Sequence, residues 1–141
     1  MENMGHIHHS AASLRIFGDD LIPTEISRLL GCEPTKAQVK GDVIRHSSGR
    51  ERLVKFGGWW LNASRAEPED LDGQIRWLMS QVNADLSIWR HLTTSYDVNV
   101  FCGLFMQSGN DGISISAETM LELGTRGIEI GLDIYGPDDE D

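Results

Sequence analysis

The sequence contains few cysteines, and their spacing excludes several classes of site. Among its 141 residues there are two, Cys32 and Cys102, and neither belongs to a Cys-x-x-Cys pair. Two distant thiols in a reducing compartment are usually buried as small apolar groups. No neighbouring residue is of a kind that activates either thiol. We therefore expect no disulfide, no cysteine-based metal site and no catalytic cysteine.

Long apolar runs are absent as well. No uninterrupted apolar segment approaches the ~18 residues that a membrane span requires, and residues 1–10 lack an apolar core of signal-peptide length. We therefore expect a cytoplasmic protein that does not bind a membrane. In that compartment the sequon at 62–64 would carry no glycan.

Catalytic motifs are also missing. No Gly-x-Ser-x-Gly elbow accompanies His46 or His91. The pair Gly57–Gly58 is too short for a phosphate-binding loop and precedes no helix start. Asp19–Asp20 and Asp133 could serve in acid–base chemistry, but turn composition and an outward strand position explain them without it. We identify no catalytic residue and no cofactor, which favours a non-enzymatic function.

Basic residues are scarce, and this restricts the partners. The chain has 12 basic and 22 acidic residues, a net charge of -10. Such a charge opposes binding to nucleic acid and would steer a basic protein towards the chain. Six of the basic residues lie between 36 and 55, against two acidic ones, and the last four residues are all acidic.

The apolar periodicity predicts one domain at 13–136, between a flexible tail at 1–12 and an acidic tail at 137–141. Helices are predicted at 23–30, 71–82 and 86–92, and from 117 to near Gly124 or Gly127, with Asp70 and Ser116 as N-caps and Gly31 as a C-cap. Strands are predicted at 13–18, 37–44, 53–56, 57–64, 97–106, 113–115 and 128–135. Gly57–Gly58 is either a hairpin turn or a kink.

Several neighbouring strands need hairpin connections, so we expect a mixed or mostly antiparallel sheet. The fold class is α+β, a two-layer sandwich with helices on one face. A ferredoxin-like arrangement is one topology that fits this order of elements. An exposed edge strand would make a homodimer possible.

The tryptophan stretch at 57–64 is the centre of the candidate site. In a strand, Trp59, Leu61 and Ala63 share one face, which we expect in the core, and Trp60 shares the other with two hydrogen-bonding side chains. Together with the preceding cations, these would bind an anionic ligand or a partner; the alternative is a solvated loop whose cations pair with carboxylates. The predicted site residues are Lys40, Arg45, Arg50, Arg52, Trp60, Asn62 and Ser64.

The N-terminal segment contains His6, His8 and His9. Histidines can chelate a divalent ion, but one short tract supplies too few fixed ligands for a structural site. We therefore predict no metal site and interpret the segment as a flexible or artificially added tail.

An ordered set of short motifs resembles a bacterial family of domains of unknown function, family 4279. The motifs are LRIFGDDL (14–21), PTEISRLLG (23–31), PT (34–35), KGD (40–42), WLNAS (60–64) and IGLDIY (130–135). The resemblance implies a small bacterial protein, usually a stand-alone domain, and brings no activity, cofactor or catalytic residue with it.

Two functional hypotheses remain. The first is a non-enzymatic protein-interaction module with a basic partner, for example an immunity-type protein that masks a basic toxin. The second is a domain that binds a small anionic molecule, or a small enzyme, with its pocket near Trp60.

Overall fold

The computed structural model describes residues 5–137, so residues 1–4 of the predicted flexible tail and residues 138–141 of the predicted acidic tail at 137–141 lie outside the described residues. The helices of the described part are α1 Pro23–Leu30, α2 Leu71–Gln81, α3 Leu86–Ser95 and α4 Ala117–Arg126. Its strands are β1 Gly5–His6, β2 His9–Gly18, β3 Lys36–Gln38, β4 Val43–Arg45, β5 Glu51–Leu53, β6 Gly57–Asn62, β7 Asp97–Phe105, β8 Asp111–Gly112 and β9 Glu129–Tyr135.

Five strands form the main sheet, in the order β3-β6-β2-β7-β9. Strand β2 is central and antiparallel to both neighbours, whereas β7 and β9 are parallel. The helices cover one face, which confirms the α+β class with a mixed sheet. The elements β2-α1-β3-β6-α2-β7 follow the β-α-β-β-α-β order of a ferredoxin-like unit, and their four strands are antiparallel in the order β3-β6-β2-β7. The β4–β5 hairpin is inserted before β6, α3 follows α2, and α4 and β9 follow the unit.

The core lies between the helices and the face of the sheet that carries the even-numbered side chains of β2. Leu14 and Ile16 are fully buried there, as are Trp59 in β6 and Val100 in β7. The indole nitrogen of Trp59 donates to the hydroxyl of Ser27 in α1 at 3.1 Å, so its polar atom is satisfied. The predicted assignment of Trp59 and Leu61 to the core is confirmed.

The helix termini follow their predicted caps. The side chain of Asp70 accepts from Gly73 N at the start of α2, and that of Ser116 accepts from Thr119 N at the start of α4. Gly31 ends α1 with a φ of 67°, a left-handed conformation that glycine adopts without steric cost.

The central strand begins at His9, so the prediction of a flexible tail at 1–12 is wrong for residues 7–12. Ile7, Ser10 and Ala12 are buried, and the backbone of Ser10 exchanges two hydrogen bonds with Ala66. The apolar alternation is short because His9 and Ser10 interrupt it. Their polar groups are satisfied by tertiary partners that a local pattern does not reveal.

Gly57 and Gly58 open strand β6, so neither the hairpin nor the kink describes them. Gly57 pairs with Gly18 across the sheet. A Cβ atom on Gly57 would lie 2.4 Å from the carbonyl oxygen of Gly18. Glycine is therefore required at position 57, where the backbones of β6 and β2 approach closely.

Four predicted strands differ from the structure, and one of them, at 53–56, overlaps β5 at Leu53 alone. The segment 37–44 divides into β3 and β4, and β4 pairs with β5 in a hairpin of its own. Ile113–Ile115 is not a strand, because the chain after β7 pairs through β8 with β1 instead. Strand β9 is present, but Ile130, Leu132 and Ile134 are exposed rather than half-buried. They lie on the helix side of an edge strand that α4 covers only in part.

Candidate functional site

The face of the sheet opposite the helices carries an aromatic and cationic surface, which we call the open face. Trp60 lies there, partly buried. A Cβ atom on Gly58 would meet the Trp60 ring at 2.5 Å, so the ring lies against the backbone of its own strand. Phe17 contacts it edge-on at 5.4 Å, and the ammonium group of Lys36 lies 4.7 Å from its centroid. Trp60 is therefore engaged in local packing.

The predicted cations lie apart from this cluster. Lys40 binds the carboxylate of Asp19 at 3.0 Å. Arg45 pairs with Glu51 across the β4–β5 hairpin at 3.2 Å, and Arg50 and Arg52 are exposed on the same hairpin. Of the predicted cations, Lys40 and Arg45 thus have carboxylate partners at the surface, where such pairs contribute little stability.

Arg15 divides the open face in two. Its guanidinium carbon lies 4.2 Å from the centroid of the Phe101 ring and 5.1 Å from that of Phe17. Its Nε donates to Asn99 at 2.9 Å. The Trp60 cluster lies on one side of this cation and a pocket on the other.

The pocket on the open face has a volume of about 360 Å³. Ala11 and Gly103 lie along its apolar floor, beside Phe101. Its polar residues include Asn62, whose Oδ1 accepts from Ser13 at 2.5 Å, and Arg65. Of the predicted site residues, Asn62 lines this pocket and Trp60 does not.

Ser64 lies beyond the end of β6, and it contacts α2 through its backbone rather than through its hydroxyl. Its carbonyl oxygen accepts from Gln74 in α2 at 2.8 Å. Phe101 and Phe105 of β7 lie on the open face, where they line the pocket. Their alternation with the core residues was the signal for this face.

A second concave surface lies between α4 and β9, and we call it the α4–β9 groove. It has a volume of about 310 Å³, and every side chain that lines it is apolar. Leu123 and Ile128 close its base. Exposed apolar side chains line it or lie beside it: Met120, Leu121, Ile130, Leu132 and Ile134. Exposed apolar patches of this kind are typical of interaction sites.

Acidic charge is concentrated in the part of the chain that forms this groove. Residues 107–137 contain five acidic side chains and one basic one, Arg126. Glu118 and Glu122 flank Met120 and Leu121 along α4. Glu129 and Asp133 alternate with the apolar residues of β9.

A cluster of possible metal ligands lies where β2 begins. The Nδ1 atoms of His8 and His9 are 2.9 Å apart, and the Nδ1 of His8 is 3.7 Å from Oε1 of Glu67. One ligand atom from each of the three residues lies within 4.8 Å of the others. The sequence did not reveal Glu67 as a neighbour, because 57 residues lie between it and His9.

The two thiols lack the features of a nucleophile. Burial raises the pKa of Cys102 to about 12. Burial, and secondarily the charge of Glu33, raise the pKa of Cys32 as well. Because the thiolate is the reactive form, both side chains are protonated near neutral pH. Neither is in a disulfide.

Comparison with known proteins places the chain in a family. A family model described as a domain of unknown function, DUF4279, matches residues 7–137. The chain belongs to the DUF4279 family. The match includes His8, His9, Glu67 and both concave surfaces of this DUF4279 domain. No curated protein and no solved structure matches the chain. None of the helices within residues 5–137 is long and apolar enough to cross a membrane.

Proposed function

We propose that this DUF4279 protein is a non-enzymatic interaction module that binds a basic protein partner at the α4–β9 groove. The observation that carries the proposal is an exposed apolar surface at a sheet edge, in a segment with five acidic residues and one basic residue between 107 and 137. Burial of that surface would supply affinity, and the carboxylates would select a basic partner.

The edge of β9 indicates how the partner would bind. Within residues 5–137, β9 pairs with β7 and with no other strand. Its second edge therefore presents backbone donors and acceptors to which an extended segment can add as a further strand. The partner segment would alternate apolar residues, directed to the groove side, with lysine or arginine opposite Glu129 and Asp133.

A basic toxin held by an immunity-type protein is one partner with this chemistry. Its association would be accelerated by the charge of the chain, and it would weaken as salt screens that charge. Such a function requires no catalytic residue, since the partner is blocked by occupancy alone.

Two peptides test the proposal directly. One alternates valine with lysine and the other alternates valine with glutamate, and fluorescence anisotropy measures the binding of each. We expect the basic peptide to bind, its affinity to fall as salt rises, and Leu132→Lys to abolish binding. Leu53→Lys is the matched control, because Leu53 is 59% exposed and Leu132 49%, and Leu53 lies on the separate β4–β5 hairpin.

Two outcomes would overturn the proposal. In the first, both peptides bind equally, or Leu132→Lys binds as well as the Leu53→Lys control. In the second, light scattering finds a dimer that Leu132→Lys dissociates, and the groove is then covered by a second copy of the chain.

The pocket on the open face supports a second candidate function, the binding of a small planar anion. Phe101 and Phe105 provide apolar walls, and Arg65 provides a cation at the rim. Its volume lies at the lower end of the range for ligand sites. Of the predicted site residues, this function would use Asn62.

Benzoate and benzamidine test whether the pocket selects an anion, because the two compounds are similar in size and opposite in charge. We expect calorimetry to detect benzoate alone, with loss of binding in Arg65→Gln and in Ala11→Leu, which fills the floor. Ala84→Leu is the control, since Ala84 is exposed in a loop. Equal binding of both compounds, or binding that survives Ala11→Leu, would exclude the pocket as an anion site.

A further inference from the structure

The start of β2 holds two histidines and a glutamate in a fixed arrangement. The backbone N–H of His8 donates to the carbonyl of Phe105 at 2.8 Å, which anchors the bend before the strand. The two hydrogen bonds between Ser10 and Ala66 hold the segment that contains Glu67 against the start of β2. Glu67 is therefore positioned beside the histidines by the main chain.

The ring of His9 is held by packing as well. His9 is buried, and its ring stacks on Phe105 with centroids 4.1 Å apart and planes 9° apart. Phe105 stacks in turn on Tyr135 at 4.7 Å. A ligand ring fixed in this way loses little freedom when it coordinates an ion.

The contact between the two histidines favours a cation. Their Nδ1 atoms approach to 2.9 Å, so one must donate a proton and the other must accept it. A metal ion can replace that shared proton and accept a lone pair from both nitrogens. Zinc–nitrogen bonds of about 2.0–2.1 Å at a tetrahedral angle place two ligand nitrogens about 3.3 Å apart. A small rotation of the exposed His8 ring would supply the difference.

Glu67 completes the set of ligands. Its carboxylate carries a hydrogen bond from Arg65 at 2.7 Å, an outer contact of the kind that orients a ligating carboxylate.

We propose that His8, His9 and Glu67 bind a divalent transition-metal ion, for which zinc is the best match. Two imidazoles and one carboxylate suit zinc and leave a fourth position open to water or to a group from a bound molecule. The proposal is independent of the α4–β9 groove, which contains none of these residues.

The test uses tag-free protein stripped of metal with a chelator and then dialysed. Calorimetry measures zinc binding, and the visible absorption of added cobalt reports the coordination geometry. We expect one zinc ion per chain, and a loss of affinity of at least roughly tenfold in both His8→Ala and Glu67→Gln, since removal of even an outer partner has that effect. Both side chains are partly or fully exposed, so the variants should fold.

His6→Ala and His91→Ala are the controls, because both histidines are exposed and neither belongs to the cluster. We expect them to retain wild-type affinity. If His6→Ala weakens binding as much as His8→Ala while Glu67→Gln does not, the histidine tract chelates the ion alone and the proposed site is wrong. Absence of stoichiometric zinc binding by the folded wild-type chain would overturn it as well.

Discussion

Ser10 and the side chain of Gln74 exchange two buried hydrogen bonds. The hydroxyl of Ser10 donates to Oε1 of Gln74 at 2.6 Å, and Nε2 of Gln74 donates to the carbonyl of Ser10 at 2.9 Å. Gln74 Nε2 also donates to the carbonyl of Ser64. One amide group thus joins the first residues of β2, the helix α2 and the segment after β6.

We expect Ser10→Ala to lower the free energy of unfolding by about 1–3 kcal/mol, since it leaves Oε1 of Gln74 buried without a donor. Urea denaturation measures the change. Ser114→Ala, at an exposed position, is the control and should have an effect within about 0.5 kcal/mol. Equal effects in the two variants would mean that residues 7–12 do not pack against the domain in solution.

Burial falls from Ile128, just before β9, to Leu132 within that strand, and we expect the cost of substitution to fall with it. Ile128 is 6% exposed, so Ile128→Ala should cost about 2–4 kcal/mol through lost burial and a residual cavity. Leu132→Ala, on the exposed part of β9, should cost less than about 1 kcal/mol. The comparison uses thermal or urea unfolding of both variants. A large loss for Leu132→Ala would indicate that the α4–β9 groove is closed in solution.

Gly57→Ala should destabilise the sheet by about 1–3 kcal/mol. The added methyl group would lie 2.4 Å from the carbonyl oxygen of Gly18, a backbone atom that cannot rotate away. Gly109→Ala is the matched control, because a Cβ there meets nothing within 4 Å. Unfolding curves compare the two variants. Tolerance of Gly57→Ala equal to that of Gly109→Ala would contradict the close pairing of β2 and β6.

Acid should weaken the junction between α2 and α4. Burial alone would raise the pKa of Asp72, but hydrogen bonds from the backbone N–H of Ser116 and from the hydroxyls of Thr119 and Ser116 outweigh it. The pKa therefore falls below its usual value of 3.8. A lowered folded-state pKa means that this stabilisation is complete above about pH 4 and is lost as pH falls further through the folded-state value.

Asp72→Asn checks this assignment, because asparagine retains an acceptor for Ser116 N–H without the charge. We expect the unfolding free energy of the variant to vary less with pH between about pH 5 and 3 than that of the wild type. Asp42→Asn, at an exposed loop position, is the control. If Asp72→Asn and the wild type have parallel pH profiles, the Asp72 carboxylate does not stabilise this junction.

Local chemistry made several elements predictable from the sequence. The caps Asp70, Ser116 and Gly31 act within one turn of their helices, so the residue types alone identify the ends. The alternation around Trp59 and Leu61 likewise identified the core face of β6. Neither required knowledge of which strands are neighbours.

The candidate site was less predictable, because it depends on pairing between distant segments. The cations of the basic segment were grouped with Trp60 by sequence proximity, whereas the β4–β5 hairpin forms a sheet of its own. The pocket instead uses Phe101 and Arg65, which the topology brings to the open face. Asn62 is the predicted site residue that lines this pocket.

The sequence by itself determined the α+β class, the acidic charge, the helices with their caps and the membership of a family. These follow from composition, periodicity and interactions within a few residues. The tertiary structure alone decided that β9 lies at an edge with its apolar residues exposed, and that Glu67 meets His8 and His9. Which strand lies at an edge, and which distant side chains meet, depend on the order of the strands in the sheet. Contacts between distant segments determine that order, and no local sequence pattern encodes it.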